Sequence, residues 1–199
     1  MAKTAKDKPQ KELIMDRSRV LFWEKGYMET SMRDIAQACG FRPANIYNFF
    51  TNKEQILFEI LIDEMNQIIE PIRHLELEDD GDPVRQLRLV IENHTRLTLG
   101  HRRSSKLLFD MELGSLSPAN KKKIIRLRDD YDRISSAIIR RGVERKIFNT
   151  ADDRMAVYCI ASMIVRTRMW YSPDGRLSID EIIDFIFNFA LKGLNFKGS

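Results

Sequence analysis

Residues 30–54, TSMRDIAQACGFRPANIYNFFTNKE, decide the fold. Met32, Ile35, Ala36 and Cys39 recur at helical spacing, so a short helix here has an apolar face. Thr30 and Ser31 precede it, and either hydroxyl can cap its start. Gly40 follows at once, where a residue without a Cβ takes the left-handed conformation that turns a chain sharply. Phe41, Arg42 and Pro43 lead into a third segment, and the fixed φ of Pro43 suits its first turn. That segment turns Ile46 and Phe50 inward and leaves Asn45, Asn48 and Phe49 on other faces. Asn52 is placed to cap a further helix, with Lys53 and Glu54 in its first turn. Just upstream, Ile14, Ser18, Leu21 and Phe22 share a helical face, and Gly26 ends that helix before Tyr27. Helix, brief helix, glycine turn and brief helix within about forty residues form the layout of a helix-turn-helix unit. The second short helix, over residues 43–49, is the predicted recognition helix, of a size that the DNA major groove admits.

Beyond residue 53 the pattern lengthens. Ile56, Leu57, Ile60, Leu61, Met65, Ile68 and Ile72 predict one helix over 53–75, followed by an acidic loop at 76–82. Further helices are expected over 83–101, 104–113 and 118–146, with a turn at 114–118. Another runs from 149–152 to 171, and Ser172, Pro173, Asp174 and Gly175 then mark a turn. Ser178 caps the last helix, where Asp180 and Glu181 suit the positive end of the dipole. Nine glycines and six prolines are few, and little of the chain alternates in strand fashion, so the class is all-α. With 43% hydrophobic residues the chain can bury a core, which excludes global disorder.

The net charge of +4 is unevenly spread. Residues 1–53 hold ten basic and six acidic side chains, while residues 54–199 hold twenty-three of each. The whole excess lies in the N-terminal quarter, which points to a polyanionic partner there. Residues 1–11 are polar and lysine-rich and read as a flexible arm, either touching phosphates or simply solvated. The run Lys121, Lys122, Lys123, Arg126 and Arg128 reads as the solvated face of a long helix. Cys39 and Cys159 form no metal motif and no disulfide framework, and each reads as a small buried hydrophobe in a reducing compartment. No signal-like segment is evident, and no apolar run approaches the about 18 residues of a membrane span, so the expected location is cytoplasmic, with no membrane partner.

The segments FWEKGY (22–27), TSMRDIA (30–36), GF (40–41) and IYNFFTNKE (46–54) closely resemble the TetR family of bacterial regulators. The resemblance implies an all-helical homodimer of about nine helices, with an N-terminal three-helix DNA-binding domain and a C-terminal ligand-binding and dimerisation domain. On this reading residues 1–53 bind DNA and residues 54–199 sense ligand and dimerise. It also implies a repressor that holds double-stranded operator DNA without ligand and leaves a palindromic site when a small hydrophobic effector binds. The opening of the recognition helix departs from the family, with Arg42, Pro43 and Ala44 in place of a small polar run, and so do Asn48 and Phe49, where histidine is common. These changes point to a different operator, not a different fold. GVERKIF (142–148) and WYSPDGRLS (170–178) resemble the subset of the family that controls lipid and steroid breakdown, which implies an acyl-CoA effector. A TetR-type regulator of an efflux or stress operon is the alternative.

Several side chains are candidates for DNA contact. The Arg42 fork can meet two guanine acceptors or hold a phosphate, and Asn45 and Asn48 suit adenine edges or phosphates. Pro43 opens the recognition helix, and Phe49 can pack on a thymine methyl or within the domain. Tyr47, Ser31 and Lys53 match family phosphate contacts; the alternatives are a buried structural role for Tyr47, a cap for Ser31 and a surface charge for Lys53. Arg33 can reach a phosphate or a neighbouring acid. Such contacts position a protein on DNA without reading its sequence.

In the body, His94, Phe109, Tyr131, Met163, Arg166 and Trp170 are the candidate ligand-binding residues. Arg166 lies among Met163, Ile164, Val165 and Met169, where a charge wants an anionic partner, either ligand or neighbouring acid. The last helix is apolar nearly all round, which suits a four-helix interface between two copies. No nucleophile elbow, phosphate loop or metal spacing is present, so neither an enzyme nor a cofactor is expected. A non-specific architectural DNA binder would not need a large neutral body.

Overall fold

A computed structural model describes residues 7–100 and 111–196. Among the described residues the chain forms eight α-helices and two 3-10 segments, with no strand. The helices are α1 (Asp7–Glu24), α2 (Met32–Cys39), α3 (Pro43–Tyr47), α4 (Lys53–Ile69), α5 (Pro83–Gly100), α6 (Pro118–Glu144), α7 (Asp153–Thr167) and α8 (Ile179–Gly193). The described residues form two compact units, 7–64 with 111–124, and 65–100 with 125–196.

The first unit holds α1, α2, α3 and the starts of α4 and α6. Its core is Ile14, Phe22, Tyr27, Ile35, Ile46, Phe50, Ile56, Leu57, Ile60 and Leu61. These recur on one face of each helix, so burying them packs the helices together. Phe22 and Tyr27 meet edge to face at 5.1 Å, across the turn that Gly26 makes at φ +92°. Arg19, on α1, bonds Asp16 and Asp63 at 2.6 and 2.5 Å, tying α1 to α4. The flexible arm expected over residues 1–11 is corrected from Asp7 onward, because α1 begins at Asp7 and Lys11 pairs with Glu59; residues 1–6 lie outside the described residues.

The second unit packs α5, α7 and α8 around Leu87, Val90, Ile91, Ile160, Ile164, Ile182, Ile183 and Ile186. The single helix expected over 53–75 is instead α4 followed by a 3-10 segment, Glu70–Glu76. Pro71 causes the change, since it has no N–H for the carbonyl four residues back and its ring crowds that carbonyl. Arg141 closes the segment by donating to the carbonyls of Leu75 and Glu76 at 2.6 and 3.1 Å. Helix α6 ends with Lys146 at φ +60°, while the Ile147 amide reaches back to the Gly142 carbonyl at 2.8 Å. The helix expected over 104–113 lies mostly outside the described residues. Cys39 is half-buried, but Cys159 is exposed, which corrects the expectation that both are core.

Candidate DNA-reading surface and ligand-sensing cluster

The turn between α2 and α3 is built from both ends. Ser31 caps α2, accepting from the Asp34 amide at 3.2 Å, while the Asp34 carboxylate accepts from the Ser31 amide at 2.7 Å. This reciprocal box satisfies donors that a helix start leaves unpaired. The Ser31 amide, then its hydroxyl, then Lys25 hold the Asp34 carboxyl down at about 2. At the other end Gly40 takes φ +68°, and the Phe41 amide bonds the Ala36 carbonyl at 2.8 Å. Of the two hydroxyls that could cap α2, Thr30 is buried and donates to the Gly26 carbonyl at 2.7 Å, which leaves the cap to Ser31.

Pro43 then opens α3 at its first position. The α-helix closes at Tyr47, shorter than the expected span over 43–49, and a turn continues the winding as the amides of Phe49 and Phe50 both bond the Ile46 carbonyl at 3.0 Å. Ile46 and Phe50 are fully buried, which fixes the roll of α3. The opposite side then presents Arg42, Pro43, Asn45, Tyr47 and Asn48 to solvent, with Phe49 half-buried. Tyr47 is 54% exposed, so it is not a core tyrosine. Ser31 and Arg33 are exposed on α2.

Lys53 is placed differently from a surface charge. Its ammonium donates to the carbonyls of Tyr27, Thr30 and Met28 at 2.6, 2.8 and 3.3 Å and lies 4.3 Å from the Tyr27 ring centre. An ammonium has three donors, and all three are engaged. Lys53 therefore fastens the start of α4 to the loop between α1 and α2.

In the second unit His94 and Tyr131 come together. His94 Nδ1 and the Tyr131 hydroxyl are 3.0 Å apart, with the rings edge to face at 5.2 Å. Both are buried. Burial first, and the Arg168 charge second, lower the His94 pKa to about 4, so the ring is neutral near pH 7. Burial likewise pushes the Tyr131 phenol up. His94 Nε2, Thr95 Oγ1 and Ser136 Oγ are buried with no hydrogen-bond partner among the described residues. Buried polar atoms ordinarily have partners, so such a group marks a place where water or a ligand fits.

The other expected ligand residues are spread out. Met163 is half-buried, Arg166 is exposed and Trp170 is 57% exposed. Phe109 lies outside the described residues. Arg168, whose charge acts on His94, lies outside the six candidate ligand residues named from the sequence. Its register could have promoted it: Val157, Ile160, Ile164 and Thr167 define the buried face of α7, and Arg168 falls one turn beyond Ile164. Arg166 lies on the opposite side with Met155 and Cys159.

A capped helix-turn-helix with an exposed polar recognition face defines a class, the DNA-binding regulators. Residues 14–60 match the family described as bacterial regulatory proteins, tetR family, and residues 80–194 match the tetracyclin repressor-like C-terminal domain. The chain belongs to the TetR family of transcriptional regulators. It is 24% identical over 192 residues to the fatty acid metabolism regulator protein of Bacillus subtilis, covering 96% of this chain and 98% of that protein. Its fold matches the TetR family regulator PfmR of Thermus thermophilus with a TM-score of 0.82 and 33% identity, over 91% of this chain and 98% of the other. It also matches AibR, solved with isovaleryl coenzyme A and operator DNA, with a TM-score of 0.80 and 23% identity, over 90% and 97% of the two chains. These relatives are regulators, not enzymes, and the chain is a ligand-responsive DNA-binding regulator of the same kind.

Proposed function

We propose that this protein is a cytoplasmic repressor that binds a palindromic operator as a homodimer and releases it when an acyl-CoA enters the C-terminal body. Residues 1–53 read DNA on this account, and residues 54–199 sense ligand and dimerise. The observation that carries it is α3, held by buried Ile46 and Phe50 with Asn45, Tyr47 and Asn48 exposed on its other side. Arg42, Asn45, Asn48 and Phe49 are assigned to base edges, and Ser31, Arg33, Pro43 and Tyr47 to backbone positioning. Lys53 adds its charge near a phosphate while its hydrogen bonds hold the loop.

The acyl-CoA reading draws support from the fatty acid metabolism regulator and from AibR with its bound isovaleryl coenzyme A. In this chain His94 Nε2, Thr95 and Ser136 offer polar atoms to a thioester, Arg168 offers a cation, and Tyr131 and Met163 belong to the apolar lining. Arg166 and Trp170, being exposed, are assigned to the mouth of the site or to the partner chain. The dimer is supported by Phe185 and Phe189, which stack on each other at 6.3 Å while 69% and 55% exposed on α8. Ligand favours a state in which α4 shifts and two recognition helices no longer meet successive major grooves, about 34–36 Å apart. The shift occurs only if ligand binds that state more tightly than the DNA-competent one.

Operator binding by fluorescence anisotropy tests the reading. Asn45→Ala and Tyr47→Phe should each weaken it roughly ten- to hundredfold, with unchanged helicity, and a long-chain acyl-CoA should release the wild-type protein. Wild-type affinity in both variants would refute the recognition surface; an operator complex indifferent to acyl-CoA would refute the effector.

A further inference from the structure

The sequence marks Lys121, Lys122 and Lys123 as a solvated charge run, but the structure places them at a particular end of the first unit. Glu54, the second residue of α4, accepts from the Ser117 amide at 2.7 Å and from Asn120 Nδ2 at 3.0 Å. One turn later Lys123 Nζ lies 5.4 Å from the ring centre of Phe58. Both contacts advance in the same chain direction, so α4 and α6 start side by side at one end of the unit and run onward together. The start of α4 follows directly on α3 and the turn Phe49–Asn52, so that end is the one that carries the recognition helix.

Asn120 and Lys123 face α4, and Ile124 is fully buried. The remaining side of the first turns of α6 carries Lys121 and Lys122, both exposed and paired with no acid among the described residues. Glu54, the carboxylate that joins α4 to α6 here, is already bound to Ser117 and Asn120, which lowers its pKa. Two ammonium groups with no acidic partner among the described residues thus stand beside the recognition unit, on a separate helix, at the end that would face DNA.

We propose that Lys121 and Lys122 form an auxiliary phosphate-binding site, extending the DNA contact from the helix-turn-helix onto the start of α6. The partner is the sugar–phosphate backbone next to the bases that α3 reads. The contact adds affinity but no sequence preference, and it rests on the DNA-reading surface proposed above.

The test compares wild-type protein with Lys121→Gln/Lys122→Gln and with a control, Arg85→Gln/Arg176→Gln, that removes the same charge from the second unit. Operator affinity is measured across a salt series, with circular dichroism to check folding. Each phosphate contact contributes about 0.9 to the slope of log K against log salt, so the lysine variant should lose about 2 per protomer. Its affinity should fall equally for operator and for unrelated DNA, while the control keeps the wild-type slope. Equal slopes in the lysine variant and wild type, or an equal loss in the control, would overturn the auxiliary site. A wild-type protein that selects no operator would overturn the DNA-reading surface itself, and the auxiliary site with it.

Discussion

Replacing His94 by glutamine removes an imidazole that the body holds neutral. An unfolded chain protonates this ring near pH 6.5, whereas the folded protein resists until about pH 4, because burial and then the Arg168 charge oppose the cation. Between those values the unfolded state binds more protons, so stability is intact above pH 6.5 and is lost as pH falls toward 4. For one group so shifted, lowering the pH from 7 to 5 removes about 2 kcal/mol, or roughly 4–8 °C in Tm for a chain of this size. Carboxylates elsewhere also titrate, so the quantity to compare is the pH dependence of wild type minus that of His94→Gln. Urea unfolding at pH 7, 6 and 5 supplies it. Wild type should lose about 2 kcal/mol more than the variant over that range. Parallel pH dependences would refute the buried neutral ring and, with it, the polar core of the proposed ligand cluster.

Lys53→Met should lower stability by about 1 kcal/mol, discounted for partial exposure, and should weaken binding to every DNA sequence alike; thermal melts and anisotropy check both. Gly40→Ala meets no atom within 4 Å, so its cost is the left-handed backbone alone, about 1–2 kcal/mol in an unfolding titration. Gly142→Ala would instead drive a Cβ to 2.1 Å from Phe148, and the same titration should show a larger loss, of about 3 kcal/mol. Phe185→Lys with Phe189→Lys should leave a folded monomer by sedimentation, since both side chains are exposed in the single chain.

The DNA-reading unit was legible because its determinants are local. A cap at Ser31, a left-handed Gly40, Pro43 at a first turn and the spacing of Ile35, Ile46 and Phe50 each act within a few residues. Lys53 was less legible, because its role depends on carbonyls more than twenty residues upstream that periodicity does not place. The apolar spacing runs on past Pro71 through Ile72 and Leu75, so periodicity alone gives one helix; the structure buries both residues by tightening the winding after Ile69. In the body, the apolar faces were readable and the polar partners were not. The meeting of His94 and Tyr131 joins α5 to α6 across 37 residues. Arg166 drew notice through its apolar chain neighbours, yet the helix turns it away from the face that Ile164 and Thr167 bury.

The central claim is sequence-specific DNA binding through α3, and selection from a random DNA pool by the purified protein tests it most directly. Enrichment of a palindrome, whose half-sites change when Asn45 and Asn48 are replaced, is the expected result. Recovery of no common sequence, or of the same sequence from the Asn45→Ala/Asn48→Ala protein, would contradict it.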